Sequence, residues 1–252
     1  MIATGFVLAA SMLMAGAGPG DVADRPLKVL IVTGVDHPAH NWKATAPALE
    51  ALLEEGGRVE ADIAWTPEAL ADPEMLRNRD VIILHFRNER PFDKEMEIRA
   101  NLDRFVKVEG KGLVLIHFAC GAFPQWPEFA DLAGRVWDTV NTHDPRGPFT
   151  VNITAPEHPV AKALGLGRFE TDDELYTGLT GDRPIDVFAA ARSKVTASDH
   201  PMAFTFSRGK GRVFQTPLGH DVKALTVPAV ARLLRSGVIW AAGDLSSTSR
   251  RP

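Results

Sequence analysis

Cysteine is almost absent from this chain: Cys120 stands alone among 252 residues, so no internal disulfide can form. A core of this size needs no covalent staple. The scarcity removes one positive sign of export without arguing against it. Excess positive charge is also absent. Lys and Arg total 28 against 32 Asp and Glu, a formal net charge of −4, so no basic field draws nucleic acid or anionic lipid. No apolar run reaches the ~20 residues of a membrane-spanning helix. No G-x-G-x-x-G opens a helix after a strand, and neither G-x-S-x-G nor G-x-C-x-G surrounds a nucleophile. Gly209-Lys210-Gly211 is too short for a phosphate loop and reads as a turn. Internal repeats and low-complexity linkers are missing, so one domain is expected over residues 26–243, followed by a frayed tail over 244–252.

The first residues differ from the rest. Ile2 to Ala17 is apolar, small and uncharged, Ala15-Gly16-Ala17 has the small-x-small pattern of a cleavage site, and Gly18-Pro19-Gly20 ends any helix. Residues 1–25 are expected to be a signal peptide or a disordered segment, with cleavage after Ala17. The mature protein would then be periplasmic or secreted, with no stable membrane association. A basic residue after Met1 is lacking, which leaves an uncleaved tail as the alternative.

Three short apolar runs set the architecture: Val29–Val32, Val81–Leu84 and Leu113–Ile116. None alternates with polar residues, as expected of strands buried on both faces of a parallel sheet. Arg58–Trp65 alternates and suits an edge. Helical patterns lie between: Trp42–Glu55 ending at Gly56-Gly57, a start at Thr66-Pro67, and Asp93–Glu109 ending at Gly110. The alternation predicts an α/β fold, a flavodoxin-like, doubly wound, mostly parallel sheet with helices on both faces. In the second half, Phe149–Ile153 and Ile185–Ala191 read as strands, Met202–Ser207 and Arg212–Thr216 as a hairpin, and Val227–Ala242 as a last helix.

Ligands bind beyond the carboxyl ends of strands in such sheets. Five of the eight histidines fall there: His37 and His40 after the first strand, His85 and His117 ending two others, and His220 after the hairpin. Imidazole suits both metal binding and proton transfer. His158 and His200 each precede a proline and read as turn residues, while His143 is left open. Asp172, Asp173 and Glu174 form an acidic run before Tyr176, the sole tyrosine; carboxylates there suit a base, a ligand or a sugar contact. Asn41, Trp42 and Arg87 lie at the same expected edge. Cys120 reads as a small buried residue rather than a nucleophile.

Val32-Thr33-Gly34 with His37, His40-Asn41-Trp42, Gly112 to His117, Asp172 to Tyr176, and Gly209-Lys210-Gly211-Arg212-Val213-Phe214 running into Leu218-Gly219-His220-Asp221 resemble a ThuA-like (trehalose utilisation) domain over about residues 27–242. The resemblance implies the class I glutamine amidotransferase-like superfamily. There a cysteine takes the elbow after a sheet strand; here His117 stands at that position and His220 resembles the late histidine, so amidotransferase chemistry is expected to be lost. It further implies a role with glycosides, including 3-keto sugars. Phe118-Ala119-Cys120 replaces the family's usual small stretch.

The expected function is a hydrolase or lyase on a glycoside or 3-keto-glycoside, with a small-molecule carbohydrate as partner and a homo-oligomer left open. His117, His220 and Glu174 are the candidate catalytic groups. Asn41, Trp42, Arg87, Asp172, Asp173 and Tyr176 are the candidate substrate contacts. His37, His40 and His85 are candidate ligands for a divalent transition metal, zinc or similar. A non-catalytic carbohydrate-binding domain on an old enzyme fold is the alternative, and a cysteine-dependent amidase using Cys120 is the least favoured.

Overall fold

A computed structural model describes residues 25–138 and 142–245. The expected leader to residue 24, with its cleavage site, and the tail from 246 lie outside the described residues. In chain order the elements are β1 (Leu27–Val32), α1 (Trp42–Glu54), β2 (Val59–Ala64), α2 (Pro73–Leu76), β3 (Val81–Leu84), α3 (Glu95–Asp103), β4 (Gly112–Ile116), α4 (Phe129–Ala133), β5 (Thr142–His143), β6 (Gly147–Ile153), α5 (Pro159–Leu164), β7 (Arg168–Asp173), β8 (Tyr176–Thr177), β9 (Asp186–Arg192), β10 (Asp199–Arg208), β11 (Gly211–Thr216), α6 (Val222–Leu225) and α7 (Pro228–Ala241). The principal sheet has nine strands in the order β2-β1-β3-β4-β11-β10-β9-β6-β7. The first five are parallel. The last four form an antiparallel wing.

The apolar runs become the central strands because both their faces are covered. Val29 and Ile31 pack with Leu49 and Leu53 of α1 and Leu233 and Leu234 of α7. Leu30 and Val32 face the other way, with Ile98 and Leu102 of α3. Burying each such side chain contributes about 1.5–3 kcal/mol. Arg58–Trp65 is the expected edge strand, as β2. No helix among the described residues is long and apolar enough to cross a membrane.

Asp172 and Asp173 end β7, a strand whose Arg168–Asp173 sequence carries too few apolar residues to announce itself. Two expectations are corrected. His200 lies within β10, not in a turn. Asp244 is not frayed, since its carboxylate pairs with Arg58 at 2.7 Å.

Asp80 fastens the start of the sheet. Its carboxylate accepts from Arg25 Nη1 and Nη2 at 2.7 and 2.8 Å, from the Lys28 amide at 3.0 Å and from Lys111 Nζ at 3.3 Å. Burial works to raise its pKa, but these donors outweigh burial and bring it to about 2. A carboxyl whose folded pKa lies below its unfolded value adds stability that is complete above about pH 4 and is lost as pH falls through about 2. Asp80→Asn is therefore expected to cost about 1–3 kcal/mol at pH 7. In thermal melts, the gap between variant and wild type should narrow from pH 4 to pH 2; a constant gap would overturn this account.

Candidate functional site

β4 and β11 are paired neighbours, Thr216 standing opposite Ile116, so the residues that follow them emerge side by side. His117 takes a left-handed φ of 47° at the start of a tight turn. Such a backbone is costly for a side chain bearing a Cβ. Its ring Nδ1 lies 2.7 Å from the Pro217 carbonyl. A carbonyl can only accept, so Nδ1 carries a proton. Gly219 has a φ of 109° just before His220, where a Cβ would stand 2.8 Å from Leu225.

β1 delivers His40 through a short loop in which the His40 amide donates to the His37 carbonyl at 3.2 Å. The His40, His117 and His220 rings then form a near-equilateral triangle, with centroids 5.0, 5.1 and 5.2 Å apart. Phe118 stacks on His40 at 4.4 Å. Burial, then the neighbouring histidines, depress the His40 pKa to about 2, so this ring stays neutral.

The antiparallel wing supplies the other side. Four strand spacings separate β7 from β11, roughly 19 Å in a flat sheet. Yet Asp173 Oδ2 accepts from the Gly219 amide at 2.7 Å, so the wing curls back over the sheet edge. Asp173 Oδ1 accepts from the amides of His220 at 3.2 Å and Glu174 at 2.8 Å. Next along the chain, Glu174 Oε2 lies 3.2 Å from His220 Nδ1 and 3.5 Å from His117 Nε2. Burial favours the neutral Glu174 carboxyl, but hydrogen bonds and charge from the two histidines outweigh it and hold the pKa well below the carboxylate range. The hydrogen bond that His220 donates to Glu174, against burial, raises the His220 pKa. Tyr176 Oη is 2.9 Å from His117 Nε2.

The structure brings together His37, His40, His117, His220, Glu174 and Tyr176. The other expectations divide. His85 is fully buried, its ring edge-on to Phe118 at 5.0 Å, and burial lowers its pKa to about 3. It falls outside the ligand triangle. His37 stacks on His40 at 4.9 Å, but its Nδ1 is taken by the Ala39 amide. Asp173 is wholly enclosed by backbone amides and holds the site rather than meeting a ligand. Asp172 is engaged by Lys223 at 2.6 Å and Arg146 at 3.6 Å. Trp42 donates to Asp36 at 2.8 Å on the outer loop, where Asn41 is exposed. Arg87 lies over Trp137 at 5.9 Å. Cys120 is buried, and burial pushes its thiol up to about 12, which excludes it as a nucleophile.

Sequence reading missed Phe118 as the platform beneath His40; Trp137, which the sequence offers as a stacking platform or a core residue, meets the Tyr176 ring at 4.7 Å. His143, left open there, places Nε2 4.0 Å from Glu174 Oε1. Only its place in a polar loop hinted at this.

One ring nitrogen from each of His40, His117 and His220 lies within 4.8 Å of the other two, the one such group among the described residues. Two nitrogens on a tetrahedral zinc stand about 3.4 Å apart, given bonds of about 2.0–2.1 Å. The set fits a borderline transition ion. Three imidazoles leave a fourth position open, and the Pro217 carbonyl is the outer-shell acceptor that fixes a ligand's tautomer. His40 Nδ1 is moreover buried without a partner.

A family model described as ThuA, trehalose utilisation, matches residues 28–241. A ThuA-like protein of known structure from Parabacteroides merdae is 25% identical with a TM-score of 0.74, over 86% of this chain and 90% of that one. A ThuA-like protein from Bacteroides uniformis shares the fold at 22% identity and TM-score 0.67, over 89% and 95%. A glutamine amidotransferase from Thermotoga maritima does so at 11% and 0.50, over 86% and 98%. No curated protein matches the chain.

Removing the Asp173 carboxylate would leave three buried amides without an acceptor. Asp173→Ala should cost about 3 kcal/mol or more, lowering Tm by roughly 6–12 °C. Asp173→Asn, which keeps an acceptor oxygen, should lose clearly less. Equal losses in differential scanning calorimetry would show that the amides do not depend on this side chain.

Proposed function

The chain belongs to the ThuA (trehalose utilisation) family, and from that membership and its histidine triangle we propose a carbohydrate-processing lyase or hydrolase acting on a glycoside in oxidised, 3-keto form. The observation that carries this reading is the triangle itself, roofed by a carboxylate and a phenol. His40, His117 and His220 would hold a divalent transition metal such as zinc. That ion, when bound, supplies Lewis acidity towards a keto oxygen.

A keto group acidifies the neighbouring C–H bond. Glu174, held ionised beside His117 and His220, is in the form that accepts the proton at a carboxylate oxygen. The C–H electron pair becomes a double bond as the glycosidic C–O bond breaks, and the departing oxygen takes a proton. Tyr176 Oη retains its own proton, since burial raises its pKa well above the phenolic value. It is thus a hydrogen-bond donor for oxygen that gains negative charge. His143 borders the second oxygen of Glu174 and limits the orientations that carboxylate can take.

The test is metal content by elemental mass spectrometry on protein purified without a histidine tag, beside turnover of a 3-keto-glycoside. Near-stoichiometric transition metal is expected in wild type. It should be lost in His117→Ala and His220→Ala and kept in His85→Ala. Glu174→Gln should keep the metal while kcat falls about 10²-fold or more. Full turnover in both His117→Ala and His220→Ala would overturn the assignment.

A further inference from the structure

A cavity of about 580 Å³ lies one aromatic ring from the histidine triangle. Trp137 forms part of its wall and touches Tyr176, whose hydroxyl reaches His117. That volume suits a ligand of one or two sugar rings. The wall also carries Arg87, Glu89, Gln125 and Asp138.

Arg87 is the unusual member. It is half-buried, it has no hydrogen bond or ion pair with any described residue, and its guanidinium carbon lies 5.9 Å from the Trp137 ring. Other half-buried arginines of this chain reach a carboxylate, such as Arg58 with Asp244 and Arg208 with Asp103 and Asp131, or, like Arg135 and Arg212, donate to backbone carbonyls. Gly121 leaves the room Arg87 needs, since a Cβ there would stand 3.0 Å from Arg87 Cδ. A guanidinium drawn partly out of water without an anion lacks the partner that offsets its desolvation, and its fork fits a planar carboxylate. The Trp137 face on this side is taken by Arg87, so a neutral ring cannot stack there without displacing the cation.

We propose that this cavity is a subsite for an acidic sugar, a glycoside ring bearing one carboxylate that pairs with Arg87. The inference rests on the carbohydrate reading above and narrows it to the uronate or aldonate class. Glu89 and Asp138 line the same cavity. They oppose a dianion such as a sugar phosphate, and they are acceptors for the hydroxyl groups of a monoanionic sugar.

Calorimetric titration of the full chain with methyl β-D-glucuronide, methyl β-D-glucoside and glucose 6-phosphate tests this without requiring turnover. The glucuronide should bind wild type at least tenfold more tightly than the glucoside, which differs only at the carboxylate. Arg87→Gln should abolish that difference, and Arg87→Lys should retain part of it. Should Arg87→Gln fold poorly, Gly121→Ala, which crowds Arg87 while keeping its charge, is expected to weaken the glucuronide and spare the glucoside. Equal binding of the two glycosides would overturn the acidic-sugar subsite and leave the carbohydrate reading standing. Tighter binding of glucose 6-phosphate would replace the carboxylate by a phosphate and overturn it likewise. Failure of all three to bind would overturn the acidic-sugar subsite and leave the carbohydrate reading to the turnover of the 3-keto-glycoside.

Discussion

The Asp173 carboxylate is the joint on which the candidate site depends. It receives three backbone amides, two from the loop after β11 and one from its own chain. Without an acceptor there, the end of β7 would lose its backbone-amide anchor on the loop after β11. The same contact places Glu174 and Tyr176 over His117 and His220. A buried carboxylate bound only by amides is expensive unless every donor is aligned. Burial raises its pKa while the His117 charge and the Gly219, Glu174 and His220 amides pull it down. That balance describes a group built to hold backbone in place.

Much of the parallel half was legible because its signal is strong and local. Continuous Val, Leu and Ile runs flanked by capped helices identify buried strands, and strand-end logic then placed His40, His117 and His220 at one edge. The wing was less legible. Arg168–Asp173 alternates, but with charged residues at most positions, so it gave no strand signal. Its register against β6, and the curl that carries it back, come from long-range contacts that no local pattern encodes. The division of the histidines was unreadable for a similar reason. His85 and His117 both end central strands, yet only the left-handed turn at His117 swings its ring into the triangle. Phe118, which sequence alone offered only as a departure from a small-residue stretch, contacts both His85 and His40.

The likeness to an amidotransferase fold sharpens the contrast at His117. A left-handed, non-glycine residue after a strand is a strained conformation, about 1–3 kcal/mol, and persists only where surrounding structure over-determines it. Here the Pro217 carbonyl fixes one ring nitrogen and Tyr176 engages the other. The strain therefore aims Nε2 into the triangle. Cys120, three residues on, is enclosed and has no part in that geometry.

Electrostatics explain why the three imidazoles can sit so close. Two protonated rings about 5 Å apart in a partly desolvated pocket repel by several kcal/mol, so a stable cluster must limit its own charge. Burial keeps His40 neutral, and Glu174 favours the proton on His220. A single divalent cation would satisfy the same lone pairs with one centre of charge. The Glu174 carboxylate that now offsets His220 would then offset the ion.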